Sequence, residues 1–147
     1  MLTNRKTCWL LKPVFKTGNL QVIRHELEVV CPPAGEELRW ADVAERVARE
    51  VASGEAEQGL LCCWIGTGVS MAANKVPGVR AALCGDAETA RGARRWNDAN
   101  VLCLSLRATS ETVAKEILDA WFEAQPDPSE AENIEKVREL DRRRAGR

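Results

Sequence analysis

Apolar positions along the chain follow two spacings, one typical of amphipathic helices and one typical of buried strands. Val43, Val47 and Val51 recur every four residues among charged side chains. This period predicts a helix over residues 40–53, which Gly54 ends. Short apolar runs without polar alternation predict buried strands over three segments, residues 59–63, 79–84 and 100–104.

Helical periods follow each predicted strand. The expected helices cover four segments, residues 69–74, 86–95, 110–124 and 129–144. Asp86 and Ser110 stand where N-terminal caps belong, because their side chains can accept from free backbone N–H groups. Since strand and helix alternate from residue 59 onward, the pattern predicts an α/β domain with a mainly parallel sheet covered on both faces.

The two ends of the chain differ from this alternation, although we expect one domain over residues 1–147. Residues 1–35 form an atypical region, in which short apolar runs suggest strands at residues 7–11, 20–23 and 27–31. Residues 129–147 form a charged segment whose helix has a thin apolar stripe, made of Ile134, Val137 and Leu140. A stripe that narrow is typical of a helix crossing an interface, so we expect it to lie between the subunits of a homodimer or homotetramer.

Composition places the chain among ordinary globular proteins. It has 147 residues, of which 45% are hydrophobic and 29% charged, which excludes a disordered chain, a collagen-like repeat and a disulfide-rich miniprotein. The net charge of −1 gives no electrostatic reason to expect a nucleic acid or an anionic membrane surface as partner. No apolar run approaches the roughly 20 residues of a membrane helix. We therefore expect neither a nucleic acid nor a membrane as partner.

The cysteines predict reduced thiols rather than a metal site. There are six, and none forms a CxxC pair or lies at ligand spacing from His25, the single histidine. Cys62 and Cys63 are adjacent in an apolar run, so a strand would direct them to opposite faces. Free thiols in apolar stretches are typical of a cytoplasmic protein, which is the location we expect.

The most informative turn follows the first of these buried strands. That strand ends at Cys63, and a turn containing Gly66, Thr67 and Gly68 leads into a helix. Backbone N–H groups at a helix start attract anions, glycine lets a ligand approach closely, and the hydroxyls of Thr67 and Ser70 could add donors. The glycine spacing fits neither the dinucleotide fingerprint nor the phosphate loop of nucleotide hydrolases. From the residues alone, a plain turn explains the pattern equally well.

Three further segments carry a resemblance to a known family. They are ANKVPGVRAALC at residues 73–84, TAR at 89–91 and NDANVL at 97–102. Together with a later arginine they resemble the ribose-5-phosphate isomerase B family, which includes the galactose-6-phosphate isomerase subunits, over about residues 40–122. The resemblance implies a Rossmann-like three-layer sandwich. It also implies dimers or tetramers that interconvert aldose and ketose phosphates without metal or organic cofactor.

The resemblance implies roles for particular side chains. Cys63 occupies the place of the cysteine that moves a proton between adjacent carbons through an enediolate. The loop that follows matches the one that holds the anionic intermediate, and it consists of Trp64, Ile65, Gly66, Thr67 and Gly68. We expect Thr67 to be catalytic with Cys63, and Ser70 to bind substrate. Asn97 matches an asparagine that touches the sugar, and Arg107 matches a substrate-binding arginine. Without the resemblance, a buried strand thiol would be the favoured interpretation of Cys63.

Three bulky side chains depart from the family's pattern. Trp64 and Ile65 replace a glycine and a threonine, so two small contacts become large. Trp96 stands where the family has the histidine thought to open the sugar ring. Because its indole cannot transfer a proton, Trp96 would stack on a sugar or serve as a core or interface aromatic.

Two substrate-contacting motifs of the family are missing as well. No Asp-His pair occurs in residues 1–30, where we interpret His25 as structural. The C-terminal Arg-His-x-x-Arg that grips phosphate is absent, and we expect Arg138, Arg142 and Arg143 on a solvated helix face. These changes favour a substrate other than ribose 5-phosphate, including an unphosphorylated sugar. The alternatives are a non-catalytic sugar- or phosphate-binding or assembly protein on the same scaffold and, on fold class alone, a nucleotide-binding regulator.

Overall fold

The computed structural model describes the backbone of residues 8–12 and 26–30, and residues 39–146 in full. Within these ranges, one mixed sheet has the strand order β2-β1-β3-β5-β4. Its strands are β1 (Cys8–Lys12), β2 (Glu26–Val30), β3 (Gln58–Cys63), β4 (Ala81–Leu83) and β5 (Val101–Ser105). Strands β3, β5 and β4 are parallel, whereas β1 runs antiparallel to both β2 and β3. The three parallel strands all end at one edge of the sheet, called the carboxyl edge below, and begin at the amino edge.

The helices lie close to their predicted positions. They are α1 (Trp40–Ser53), α2 (Thr67–Ala73), α3 (Ala87–Asn97), α4 (Glu111–Glu123) and α5 (Ala131–Ala145), the last preceded by a 3-10 turn (Pro128–Glu130). The carboxylate of Asp86 accepts the N–H of Thr89 at 2.7 Å, and the hydroxyl of Ser110 accepts the N–H of Val113 at 3.3 Å. Both predicted caps are therefore present.

Two apolar clusters cover the two faces of the sheet and confirm the three-layer sandwich. On one face, α1 and α2 pack on Leu61, Cys63, Val101 and Cys103. On the other face, side chains of α3 and α4, including the fully buried Trp121, pack on inward-facing residues such as Cys62. The adjacent cysteines of β3 lie on opposite faces, as the strand period predicts.

The N-terminal strands contribute an antiparallel pair rather than a parallel continuation. The predictions at residues 7–11 and 27–31 correspond to β1 and β2, each displaced by one residue. The suggested strand at residues 20–23 and the position of His25 lie outside the described residues. Strand β1 fills the place beside β3, with Cys8 opposite Leu61, so the backbone groups on that side of β3 are paired.

The C-terminal helix α5 packs against its own chain at the amino edge of the sheet. The carboxylate of Asp141 accepts the N–H of Gly78 at 2.8 Å, and Arg144 donates to the carbonyl of Lys75 at 3.0 Å. Within the apolar stripe, Ile134 is buried, while Val137 and Leu140 are exposed by 47% and 54%. The exposed part of the stripe is consistent with a place at a subunit interface, which stays a prediction. In the described part of the chain, no helix is long and apolar enough to cross a membrane.

Candidate functional site

Cys63 ends strand β3 and lies directly beside the turn that starts α2. The backbone N–H of Gly66 donates to its Sγ atom at 3.2 Å, and only 9% of the residue is exposed. Gly66 has a left-handed φ of 77° and is the N-cap of α2. As a result α2 starts at Thr67, two residues before the predicted start, and Thr67 and Gly68 belong to its first turn instead of to the loop.

Gly66 and Gly68 allow neighbouring residues to pack closely against two sides of this loop. A Cβ atom on Gly66 would lie 2.4 Å from Leu83 Cδ1 and 3.1 Å from the Leu104 carbonyl. A Cβ atom on Gly68 would lie 3.1 Å from the indole of Trp40. Trp40, at the start of α1, is therefore part of the site's wall, although sequence reasoning assigned it no role there. One signal could have identified Trp40. It is a large aromatic residue at the start of the helix that follows β2, a strand that ends at the same edge of the sheet as β3.

The loop is also tied to the end of β5. The N–H groups of Leu106 and Arg107 donate to the carbonyls of Cys63 and Trp64, at 2.9 and 3.0 Å. The Ser105 hydroxyl donates to the carbonyl of Trp64 at 3.1 Å. Arg107 is exposed, and its guanidinium forms no hydrogen bond or ion pair with any residue that the structure describes. Its charge is thus available beside the loop for an anionic ligand.

Five exposed apolar side chains lie on the segments that meet at the loop after Cys63, and we call this group the carboxyl-edge patch. Its members have exposed fractions from 38% to 63% and are Trp40, Trp64, Ile65, Leu83 and Leu106. Isolated exposed apolar residues are common on protein surfaces, but contiguous groups mark binding surfaces. Trp64 and Ile65 thus add apolar surface next to Cys63 in the chain, and their contact with a substrate stays a prediction.

The two predicted hydroxyl donors differ in their surroundings. The Ser70 hydroxyl donates to the carbonyl of Ala81 at 3.5 Å, which directs it towards β4. Thr67 is half-buried at the first position of α2, and its hydroxyl has no hydrogen-bond partner among the described residues. Of the two, Thr67 is the one with a free hydroxyl next to the Gly66 turn.

Trp96 and Asn97 lie at the opposite edge of the sheet from Cys63. Both belong to the last turn of α3, and Asn100 follows at the start of β5. The carbonyl of Asn100 accepts the N–H of Gly59, which begins the buried part of β3, at 3.0 Å. From Gly59 to Cys63 the strand rises by about 13 Å at its usual rise per residue. One chain therefore does not bring Trp96 and Asn97 together with Cys63.

Instead, the end of α3 borders a cavity of about 400 Å³ beneath α5. Trp96 and Asn97 line it together with apolar residues of β4 and α5. Trp96 is 54% exposed, and its indole covers Gly92, where a Cβ atom would lie 2.7 Å from the ring. Trp96, Val137 and Leu140 form a second exposed apolar group, which we call the amino-edge patch.

Asn74 and Asn100 connect the loops at the amino edge through side-chain hydrogen bonds. The side-chain oxygen of Asn74 accepts the N–H of Ala81 at 2.8 Å, and its side-chain nitrogen donates to the carbonyl of Ala81 at the same distance. The Asn100 side chain accepts the N–H of Arg80 at 2.8 Å and donates to the carbonyl of Gly78 at 3.0 Å. Asn74 and Asn100, which belong to the segments that carry the family resemblance, therefore stabilise the fold. Trp96 and Asn97 beside them are exposed.

Two of the other cysteines, Cys84 and Cys103, have thiol pKa values above the usual range. Burial, with a smaller contribution from Asp86, raises the pKa of the Cys84 thiol to about 11. Burial likewise raises the pKa of the Cys103 thiol above its usual range. In residues 39–146, no three histidine, cysteine or acidic side chains are arranged to hold a metal ion.

Comparison with known proteins identifies the family. Residues 13–140 match the sequence profile of the family described as Ribose/Galactose Isomerase. The chain belongs to this family. The chain is 39% identical over 106 residues to the D-erythrulose-4-phosphate isomerase of Pectobacterium atrosepticum, an alignment that covers 71% of this chain and 70% of the relative. It is 37% identical over 112 residues to ribose-5-phosphate isomerase B of Escherichia coli, covering 76% and 75%.

A solved structure confirms the fold of this family member. The type B ribose 5-phosphate isomerase of Trypanosoma brucei superposes with a TM-score of 0.71 at 43% identity, covering 76% of each chain. The expected membership, the Rossmann-like sandwich and the aldose–ketose isomerase class are thus confirmed for this isomerase. The roles of individual residues stay predictions.

Proposed function

We propose that this isomerase interconverts the aldose and ketose forms of a short sugar phosphate, with Cys63 as the base. The observation that carries this proposal is the placement of Cys63. Its sulfur accepts the Gly66 N–H at the carboxyl edge, and the backbone of Arg107 bonds the carbonyl of Trp64, the residue that follows Cys63. In open α/β sheets, ligands bind outside the carboxyl ends of the strands.

The chemistry requires one group that takes and returns a proton. The Cys63 thiolate removes the proton from carbon 2 of the open-chain aldose, and the electrons move towards the aldehyde oxygen to give an enediolate. The same thiol then delivers the proton to carbon 1, which gives the ketose as the hydroxyl proton shifts between the two oxygens. The Thr67 hydroxyl and loop N–H groups donate to the enediolate oxygen, and Arg107 binds the phosphate.

The nature of the sugar follows from the relatives and from the loop. The relatives described above are named for a four-carbon ketose phosphate and a five-carbon aldose phosphate. The bulky Trp64 and Ile65 reduce the room at the mouth, which favours the shorter substrate. We expect aldose–ketose conversion of tetrose or pentose phosphates, measured by NMR on a panel that includes hexose phosphates and unphosphorylated sugars. Absence of conversion across the panel by folded protein would favour the non-catalytic binding alternative.

We also propose that two copies of the chain share each site. Trp96 and Asn97 are separated from Cys63 in one chain, so they reach the same sugar only if they come from a second copy. The two apolar patches support this arrangement, because each leaves large side chains exposed at one edge of the sheet. A homodimer in which the amino-edge patch of one copy faces the carboxyl-edge patch of the other covers both.

Shared sites predict that two inactive variants restore each other's activity. Cys63→Ala and Asn97→Ala are each expected to lose most activity as homodimers. After co-expression with different tags, half of the dimers are mixed, and each mixed dimer has one intact site of two. About a quarter of wild-type activity should therefore return. Mixed dimers without activity, purified through both tags, would contradict the shared site.

Thiol labelling separates a catalytic base from a structural cysteine. At pH 7.5 we expect iodoacetamide to label Cys63 before Cys84 and Cys103, and a bound sugar phosphate to protect it. Because the pKa of Cys84 is raised to about 11, its labelling should rise only as the pH approaches that value. Peptide mass spectrometry against time and pH measures this order. Equal, ligand-independent labelling of all three would favour the binding alternative. The buried free thiols also support a cytoplasmic location as part of this proposal.

A further inference from the structure

Asp98, which follows Asn97, joins three separate segments of the chain at the end of α3. Its carboxylate accepts from Arg80, which precedes β4, at 3.0 Å and from Arg138 of α5 at 2.9 Å. Arg94 of α3 lies 3.9 Å from the other carboxylate oxygen. The side chain of Asp98 is only 19% exposed. Charge pairs that are partly buried are screened less by salt than surface pairs, so these contacts restrain the loop.

The backbone of Asp98 is held in an unusual conformation. Its φ is 47°, and it is the one non-glycine residue with a positive φ in the part of the chain that the structure describes. Its carbonyl accepts Arg80 Nε at 2.6 Å, and its N–H closes α3 on the carbonyl of Ala93. Left-handed residues with a side chain persist where their surroundings determine them, and such residues concentrate at functional sites.

Arg94 supports this end of the helix from inside. It is 9% exposed, its Nη1 atom donates to the carbonyl of Ala99 at 2.6 Å, and its guanidinium lies 5.4 Å from the centre of the Trp121 ring. Burial lowers the pKa of Arg94, and the carboxylate of Asp98 opposes that effect. The turn after Asn97 is therefore fixed from α3, from β4 and from α5.

We propose that Asp98 is a positioning residue, which holds Asn97 and Trp96 in one outward orientation and links that orientation to α5 through Arg138. The inference rests on the proposed function, in which Asn97 and Trp96 meet the sugar of the partner copy. The last residues of a helix fray unless they are restrained, and Asn97 is the last residue of α3. The salt bridge to α5 makes the C-terminal helix a support of the site, although none of its side chains is assigned to the substrate. Arg138 lies on an exposed helix face, as expected, and its guanidinium also donates to Asp98.

Two substitutions test this role, with a matched control on the same helix. Asp98→Asn keeps a residue that tolerates the left-handed conformation but removes the charge. Arg138→Ala removes the α5 contact and leaves Asp98 in place. Arg142→Ala is the control, because Arg142 pairs with Glu135 at 2.6 Å and has no contact with Asp98. We expect kcat/KM to fall about ten- to a hundredfold in Asp98→Asn, as for misplaced substrate-positioning groups. Arg138→Ala should fall less, and Arg142→Ala should match the wild type.

The side-chain amide of Asn97 reports its orientation directly. In ¹⁵N-labelled protein, its signals should shift or broaden in Asp98→Asn and Arg138→Ala but not in Arg142→Ala. Asn133, which donates to Glu130 at 2.8 Å, serves as the internal reference. Unchanged Asn97 signals, or a wild-type kcat/KM in a folded Asp98→Asn protein, would overturn the proposal.

Mixed dimers distinguish positioning of Asn97 from a general loss of structure. Asp98→Asn combined with Cys63→Ala should regain activity, because Asp98 acts through Asn97 of its own chain. Asp98→Asn combined with Asn97→Ala should not, since both changes affect the same half of the site; recovery there would overturn the proposal. If the wild type converts no sugar phosphate, the proposed function fails, and the Asn97 signals alone decide whether Asp98 anchors the helix end.

Discussion

Replacing Cys63 with alanine should lower kcat by about 10²–10⁴-fold, the usual contribution of a positioned general base. The sulfur lies at the end of β3 and accepts the N–H of Gly66, so its removal deletes the base and leaves the surrounding backbone unchanged. We expect circular dichroism to match that of the wild type and the unfolding free energy to fall by about 1 kcal/mol, as for a small deletion in a packed core. Initial rates of aldose–ketose conversion measure the effect.

Cys62 provides the matched control for this substitution. It is the adjacent residue of the same strand, it is equally buried, and it lies on the opposite face of the sheet among side chains of α3 and α4. Cys62→Ala should cost about 1 kcal/mol in unfolding free energy, as for a small deletion in a packed core, and retain kcat. A Cys63→Ala protein as active as Cys62→Ala would rule out the cysteine base.

Replacing Gly66 with alanine should destabilise the protein by about 2–5 kcal/mol and remove activity. The left-handed φ of 77° costs about 1–2 kcal/mol for a residue with a Cβ atom. The remainder comes from the contacts with Leu83 and the Leu104 backbone, because a side chain forced into a packed site costs about 1–3 kcal/mol. Displacement of the turn would also move the N–H that contacts the Cys63 sulfur. Urea unfolding and initial rates measure the two effects.

A substitution at Gly54 separates the energetic cost of a left-handed backbone from the cost of the close contacts at Gly66. Its φ is 81°, similar to that of Gly66, but a Cβ atom there would meet nothing within 4 Å. Gly54→Ala should therefore lose about 1–2 kcal/mol and keep full activity. Equal losses of stability and activity in both variants would show that close packing of the Gly66 turn is not required.

Local patterns predicted the helices and buried strands more closely than the strand pairing. Helix α1 has the predicted bounds, because its apolar period and Gly54 are both local signals. Strand β4 is shorter than the apolar run at 79–84, since side-chain bonds to the backbone hold residues before Ala81. The direction of β1 could not be predicted, because its sequence CWLLK lacks the polar alternation of many antiparallel strands, yet β1 pairs antiparallel with both neighbours.

In the candidate site, too, residues that are adjacent in sequence were easier to predict than residues that come together only in the fold. Cys63 and its glycine loop are contiguous in sequence, so the apolar run followed by glycines was enough to predict that they lie together. The location of Asn97 follows from the topology instead. Asn97 ends α3, and a helix that connects two parallel strands runs back to the amino edge, opposite the edge that holds Cys63. The role of Asp98 depends on arginines from separate segments of the chain, which no spacing rule connects.

Deuterium transfer tests the cysteine base most directly. The wild-type protein is incubated in heavy water with each tetrose and pentose phosphate, and NMR follows deuterium at carbons 1 and 2. Cys63→Ala and Cys62→Ala are measured beside it. We predict that deuterium enters the sugar with the wild type and with Cys62→Ala, and that incorporation is lost with Cys63→Ala. Incorporation by Cys63→Ala at the wild-type rate would contradict the account, because another group would then carry the proton.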